Sequence, residues 1–324
     1  MFEVTRRSFL VCGGATLGLA ALPGALLASA PIHKLKSSFR LAVITDEISQ
    51  DFDHACSVAA NDFGMQWVEL RALWNKSLLS LTSSEIEEAR SILAKYDLRV
   101  TDIASPLFKV DWPDAPLPKS RANRDKHSAD FTFRQQDEVL EKSIELAKTF
   151  KTDRIRGFDF WRLDDQAPYR KDINAKLAEA AEKMSKQSIV FVLENEMACN
   201  TGTGAEAAKV LAQVPNLMLN WDPGNAAALG ETPFPNGWDL LPKNRIGHCH
   251  CKDTVMKTGG GYEWAPVGKG VIRWDGQLRA LKQAGYNLAV SLETHWHGGS
   301  SPEDSTRQSW AGMKAALQSA GTLA

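Results

Sequence analysis

Residues 188–223 read SIVFVLENEMACNTGTGAEAAKVLAQVPNLMLNWDP. An apolar run, SIVFVLENE (188–196), is followed by GAEAAKVLAQV (204–214) and then by a second apolar run, NLMLNWDP (216–223). In the middle segment apolar residues recur three to four apart, which buries one face of a helix. The flanking runs are nearly continuously apolar, as strands covered on both faces are. The stretch therefore predicts a strand–helix–strand unit with parallel strands.

The same alternation extends outward over the chain from residue 39. Further candidate strands are FRLAVITDE (39–47), QWVELRAL (66–73), RVTDIASP (99–106), DRIRGFDF (153–160), RIGHCHCKD (245–253) and LAVSLETHW (288–296). Between them lie DHACSVAANDFG, SSEIEEARSILAKYD, QQDEVLEKSIELAKTF, INAKLAEAAEKMSK and WDGQLRALKQAG, each with helical spacing, and STRQSWAGMKAALQSA closes the series. The connection between the sixth and seventh strands is shorter and rich in proline, so its helix is expected to be weak. Eight such units predict an α/β fold, a single-domain (β/α)8 TIM barrel over 31–324, with its active site at the C-terminal strand ends. A doubly wound open sheet is the alternative. It wants a glycine-rich turn after the first strand, and ITDEISQDF (44–52) has no glycine. Two connections are long, 106–129 and 254–271, and loops of that length above a barrel serve as lids or binding loops.

The chain has 324 residues, with 38 basic against 39 acidic side chains and a formal charge of −1. That balance argues against nucleic acid or an anionic membrane surface as a partner. Residues 1–30 read as a twin-arginine export signal: TRRSFL (5–10), an uncharged Gly- and Ala-rich stretch, then Ala28-Ser29-Ala30. Pro31 directly after that site is unfavourable for cleavage there. The expected location is periplasmic or otherwise exported. No later segment has 18 uncharged apolar residues, so no membrane contact is expected after signal removal. One of the five cysteines, Cys12, lies in the signal. The other four are too sparse for a disulfide scaffold. A homo-oligomer is compatible with the sequence.

Polar residues in apolar strands are costly unless paired or functional. Here they collect at the C-terminal strand ends: LENE, WDPGN, HCHCKD and LETHWH. Glu194, Asp222 and His250 follow one another at intervals of 28 residues, one βα unit each, and Glu293 follows after the long seventh loop. Three carboxylates facing one another repel unless a cation sits among them. With one imidazole they suit a single divalent ion, Mn²⁺ foremost, with Mg²⁺, Co²⁺ or Zn²⁺ as alternatives. In GHCHCKD (247–253) strand alternation sends His248 and His250 to one face and Cys249 and Cys251 to the other, so the row cannot converge on one ion. His250 lies level with the three carboxylates and His248 one layer deeper.

Residues 39–320 resemble the xylose isomerase-like barrels, the sugar isomerase/epimerase superfamily. The carriers are VELR (68–71), LENE (193–196), WDPGN (221–225), H-x-H-x-K-D (248–253), VGKGVIRW (267–274) and SLETH (291–295). The resemblance implies that Glu194, Asp222, His250 and Glu293 bind one divalent ion, and that Glu194 and Glu293 are the acid and base on opposite faces of a sugar or keto-sugar. The implied reaction is isomerisation or epimerisation by proton abstraction next to a carbonyl, through an enediolate. VGKGVIRW implies a lid, with Lys269 near substrate, and Asn225 and Lys252 are implied polar contacts. Two departures set the reaction apart from the ketose 3-epimerases. Asn225 stands where that branch has histidine, and Met256 where it has arginine. A lyase on the same scaffold, dehydrating a keto-inositol or eliminating from a 3-keto-glycoside, is the alternative, and a non-catalytic sugar-binding barrel is a third reading.

Several other residues could reach a pocket above the barrel. Glu69 and Arg71 end strand two and either contact substrate or pair with each other. Arg156, on strand four, either faces inward or makes a surface pair, and of His295 and His297, which follow Glu293, either one contacts substrate or both are bystanders. Trp74, Phe108, Trp112, Trp161, Trp264 and Trp296 lie just past strand ends, where aromatic walls for a sugar would stand. His127 and the charged run 119–126 are expected to form a solvated loop.

Overall fold

A computed structural model describes residues 34–118 and 131–324. The signal expected at 1–30 and the loop around His127 lie outside the described residues. Eight parallel strands form the sheet: β1 (Arg40–Val43), β2 (Trp67–Leu70), β3 (Arg99–Ala104), β4 (Arg154–Gly157), β5 (Val190–Glu194), β6 (Leu217–Trp221), β7 (Ile246–Cys251) and β8 (Ala289–Leu292). Their order is β1-β8-β7-β6-β5-β4-β3-β2. The two ends of that order meet through a single parallel bridge, Ile44 to Glu69, which brings the sheet round into a nearly closed barrel. Every strand predicted from the sequence is present within its expected bounds, and each is shorter than its window.

Eight helices follow the strands: α1 (Phe52–Ser57), α2 (Ser83–Lys95), α3 (Gln136–Thr149), α4 (Arg170–Ser185), α5 (Gly204–Gln213), α6 (Pro223–Ala228), α7 (Trp274–Gln283) and α8 (Pro302–Ser319). Local chemistry starts several of them. Thr82 with Glu85, and Thr203 with Glu206, form reciprocal capping boxes for α2 and α5. Ser301 caps α8 ahead of Pro302 at its first position. The weak sixth helix is the short α6, followed by one further turn at Trp238–Leu240. Among the described residues no helix is long and apolar enough to cross a membrane.

The strand faces that meet the helices are apolar. Leu217, Leu219 and Trp221 on β6, and Cys249 and Cys251 on β7, belong to the main hydrophobic cluster. The opposite faces of the same strands carry Asn220, His248 and His250, all fully buried inside the barrel. Phe108, expected on the pocket wall, is core instead: it is 1% exposed, stacked on Phe160 at 5.0 Å and packed against Phe191. Trp112 and Phe133 close on Phe160 in the same aromatic group. Trp74 is likewise packed edge-on against Phe52.

Two short antiparallel hairpins sit beyond the strand ends, where the sequence windows for strands two and seven ran on. One pairs Ala72–Leu73 with Lys76–Ser77, and the other pairs Asp253–Met256 with Tyr262–Ala265. The second gives the long seventh loop a framework. Its return, residues 266–270, rests on α8 at Gly312, where an added Cβ would lie 1.7 Å from the Val267 carbonyl oxygen. Glycine inside a helix normally costs about 1 kcal/mol relative to alanine, so its place here follows from the close approach. Gly312→Ala should therefore destabilise the protein by about 1–3 kcal/mol by overpacking. Chemical denaturation measures that loss, and faster proteolysis within 254–271 should accompany it.

Candidate metal centre and active site

Glu194, Asp222, His250 and Glu293 bring one ligand atom each within 4.8 Å of one another, and all four are buried. They come from the ends of β5, β6, β7 and β8, four consecutive strands of the barrel order. His250 Nδ1 lies 3.4 Å from Glu194 Oε1, 3.6 Å from Asp222 Oδ2 and 3.2 Å from Glu293 Oε2. Asp222 divides its two oxygens. Oδ1 caps α6 by accepting from the Asn225 backbone N–H at 2.9 Å, and Pro223 occupies the first helical position. Oδ2 faces the other ligands. His250 Nδ1 and Asp222 Oδ2 are both buried without an aligned hydrogen bond, although the Lys252 ammonium lies 2.8 Å from that oxygen. Two buried nitrogen and oxygen positions turned to one point without an aligned hydrogen bond, among three carboxylates, fit a divalent cation.

Around this quartet the charges are paired. Arg156 donates to Glu194 Oε2 at 2.7 Å, and Asn225 Nδ2 donates to Glu194 Oε1 at 3.2 Å. Arg71 donates to Glu293 at 3.0 Å, to Glu47 at 2.7 Å and to Asp46 at 2.9 Å. Lys252 Nζ lies 2.8 Å from Glu293 Oε2 and 4.8 Å from the Trp264 ring centroid. Burial opposes ionisation of Glu194, but His250 and Arg156 outweigh it and hold the carboxyl below its ordinary range. Glu293 behaves alike: burial is overcome by His295, Lys252 and His250. Both glutamates are thus ionised.

The other expected contacts divide into three positions. Glu69 lies behind the quartet rather than at a pocket wall: fully buried, it faces the far side of His250, with Oε1 3.0 Å from Nε2. Arg71 pairs with Asp46, Glu47 and Glu293 instead of with Glu69. His295 bridges Glu47 and Glu293, with Nδ1 3.0 Å from Glu47 Oε1 and Nε2 3.5 Å from Glu293 Oε1, and its ring meets Trp264 at 5.5 Å. Lys269 is exposed in the 266–270 turn. That turn is tied down by Asp253, whose carboxylate accepts from the backbone N–H groups of Thr254, Gly268, Gly270 and Ile272.

The sequence reading passed over several members. Asp46 and Glu47 lie in ITDE, which follows β1 as LENE follows β5, so the strand-end rule could have found them. Asp102 and Asn220 sit inside the barrel at alternate strand positions. Glu196, two residues past Glu194, faces Lys109 at 3.7 Å.

A family model described as xylose isomerase-like TIM barrel matches residues 58–316. The chain belongs to that family. No curated protein matches it in sequence at a significant level. Among solved structures, this xylose isomerase-like barrel resembles the probable 3-DHS dehydratase AsbF of Bacillus anthracis, with 20% identity, a TM-score of 0.64 and coverage of 86% of this chain and 98% of that one. It also resembles the D-allulose 3-epimerase of Methylomonas sp. in complex with D-allulose (17%, 0.63, 89% and 99%). A third is the IOLI protein with a zinc atom (16%, 0.64, 86% and 98%). At such identities the likeness establishes the fold.

Proposed function

We propose that this barrel is a divalent-metal-dependent isomerase or epimerase acting on a sugar or keto-sugar by proton abstraction next to a carbonyl. The observation that carries the reading is the pair Glu194 and Glu293. Both are buried and ionised, they approach one point from β5 and β8, and each is held by its own guanidinium. The quartet would hold the ion, which would act as a Lewis acid towards the substrate carbonyl. In this reading Glu194, steadied by Arg156 and Asn225, would take a proton from one face, and Glu293 would return it on the other. The Lys252 ammonium stands beside Glu293, where it favours negative charge developing on a substrate oxygen. Trp264, partly exposed beside Lys252, offers a flat apolar face to a sugar ring.

A lyase shares the first proton transfer, and one feature favours it. Burial lowers the basicity of His295, but Glu293 and Glu47 reverse that and raise its pKa above the ordinary value. A protonated imidazole beside Glu293 can give its proton to a departing oxygen. Screening free ketoses and 3-keto-glycosides in D₂O by mass spectrometry separates the readings. One deuterium gained without loss of mass marks the isomerase, and loss of water or aglycone marks the lyase. Binding without exchange or loss would leave a sugar-binding barrel and sink both. The neighbours' names, an epimerase with D-allulose and a dehydratase, stand on either side of that choice. Mn²⁺ is the proposed ion on ligand hardness, with zinc recorded in the IOLI protein. Export by the twin-arginine route is proposed from TRRSFL and the stretch after it, and fractionation of cells with and without Arg6→Lys/Arg7→Lys tests it.

A further inference from the structure

TIM barrels fill their interiors with layers of branched apolar side chains. Below the metal quartet this barrel instead carries Glu69, Asp102, Asn220 and His248, all fully buried. They form a connected chain. Asp102 Oδ1 lies 3.0 Å from His248 Nε2, and His248 Nδ1 lies 3.1 Å from Asn220 Oδ1. Asn220 Nδ2 lies 3.1 Å from His250 Nε2, which also faces Glu69 at 3.0 and 3.2 Å. Glu69 also approaches both rings, at 3.0 Å from His250 Nε2 and 3.7 Å from His248 Nε2. Among the described residues only Asn220 is hydrogen-bonded to both, and an amide presents a donor on one side and an acceptor on the other.

The direction of that amide decides which nitrogen of His250 carries its proton. With Nδ2 towards His250, Nε2 must offer a lone pair, yet the Glu69 carboxylate beside it offers lone pairs too. The ring proton would then sit on Nδ1, among the quartet. A half-turn of the amide gives each facing pair one donor and one acceptor. His250 Nε2–H then donates to Glu69 and to Asn220 Oδ1. Asn220 Nδ2 donates to His248 Nδ1, and His248 Nε2–H faces Asp102 Oδ1 at 3.0 Å without an aligned hydrogen bond. With an ion in the quartet, both imidazoles would be neutral and both carboxylates ionised, and His250 Nδ1 would present its lone pair to the quartet.

We propose that Asn220, oriented through His248 and Asp102, is a positioning residue that sets the His250 tautomer, and that its amide stands in the reversed orientation when the quartet holds an ion. The inference rests on reading the quartet as an ion site. Partners of this kind orient metal-bound histidines and raise their basicity. Glu69 alone could accept the Nε2 proton, but the Asn220 amide hydrogen-bonds both rings and so ties that choice to His248.

The test is Zn²⁺ titration of the full chain against a chromophoric chelator, together with ¹⁵N–¹H spectra of the histidine rings. Wild type should bind one ion, with His250 protonated at Nε2 and bound through Nδ1. Asn220→Leu should weaken Zn²⁺ binding about 10–100-fold at unchanged stoichiometry, and its His250 ring should show both tautomers in the ion-free protein. Asn220→Asp, nearly isosteric, keeps the acceptor for His250 but loses the donor for His248, and should fall between the two. It also serves if the leucine variant fails to fold. Unchanged affinity in a folded Asn220 variant, or a Zn²⁺-loaded wild type with His250 protonated at Nδ1, overturns the inference and leaves the quartet standing. A wild type that binds no Zn²⁺, Mn²⁺ or Mg²⁺ overturns the quartet first.

Discussion

Glu293→Gln should lower proton exchange with any ketose substrate by about 10³-fold or more, within the range for loss of a positioned acid or base. The change keeps the shape of the side chain and removes its charge. Three consequences follow from the structure. The carboxylate that would return the proton is gone, Lys252 loses one of its two anionic partners, and Arg71 loses one of three. Binding of the ion should weaken as well, so activity is to be measured at saturating metal, with stoichiometry followed in parallel. Glu194→Gln with Asp222→Asn gives the complementary result: bound metal falls from one ion per chain to a small fraction, since two of three anionic ligands are neutralised. A double variant that retained a full ion would place the ion elsewhere.

The second large effect is on stability. Arg71 is the single guanidinium facing Asp46, Glu47 and Glu293 among the described residues, with its side chain 10% exposed and those of the three carboxylates 3% or less. Arg71→Met preserves the length of the stem and leaves three buried carboxylates facing one another with no guanidinium between them. Removing one partner of a buried ion pair costs about 3–5 kcal/mol. Chemical denaturation should show a loss of that size. Adding Asp46→Asn and Glu47→Gln to Arg71→Met should recover most of it, because the penalty lies in uncompensated charge and not in lost packing. A loss under 1 kcal/mol in the single variant would mean that water or counter-ions reach the cluster.

The barrel was legible in the sequence because strand and helix periods differ and each connection keeps its own. LENE, WDPGN, HCHCKD and LETH were legible as a set for a related reason: a polar residue ending an apolar strand has few other uses. Glu69 shows where such reasoning stops. Alternation along VELR assigns it a face of β2, but its partner His250 lies on β7, three strands away round the sheet, and contact across the interior follows from barrel closure alone. Asp46 and Glu47 were hidden differently. ITDE was read for the glycine it lacks, and a salt cluster with Arg71 requires the seam between β1 and β2 to be joined. Asn220 resembles any strand asparagine until both of its neighbours are known to be imidazoles.

Asp253 holds the 266–270 turn through backbone N–H groups alone. Such an anchor is indifferent to side-chain identity at the positions it grips, except Gly270, where a Cβ would meet the carboxylate at 2.1 Å, and Gly268, whose φ of +81° favours glycine. The outward side chains of that turn, Lys269 among them, can therefore be exchanged during evolution with the loop kept in place and the metal ligands undisturbed. A scaffold that separates a variable surface turn from the buried charged residues beneath it can diversify by changing only the first.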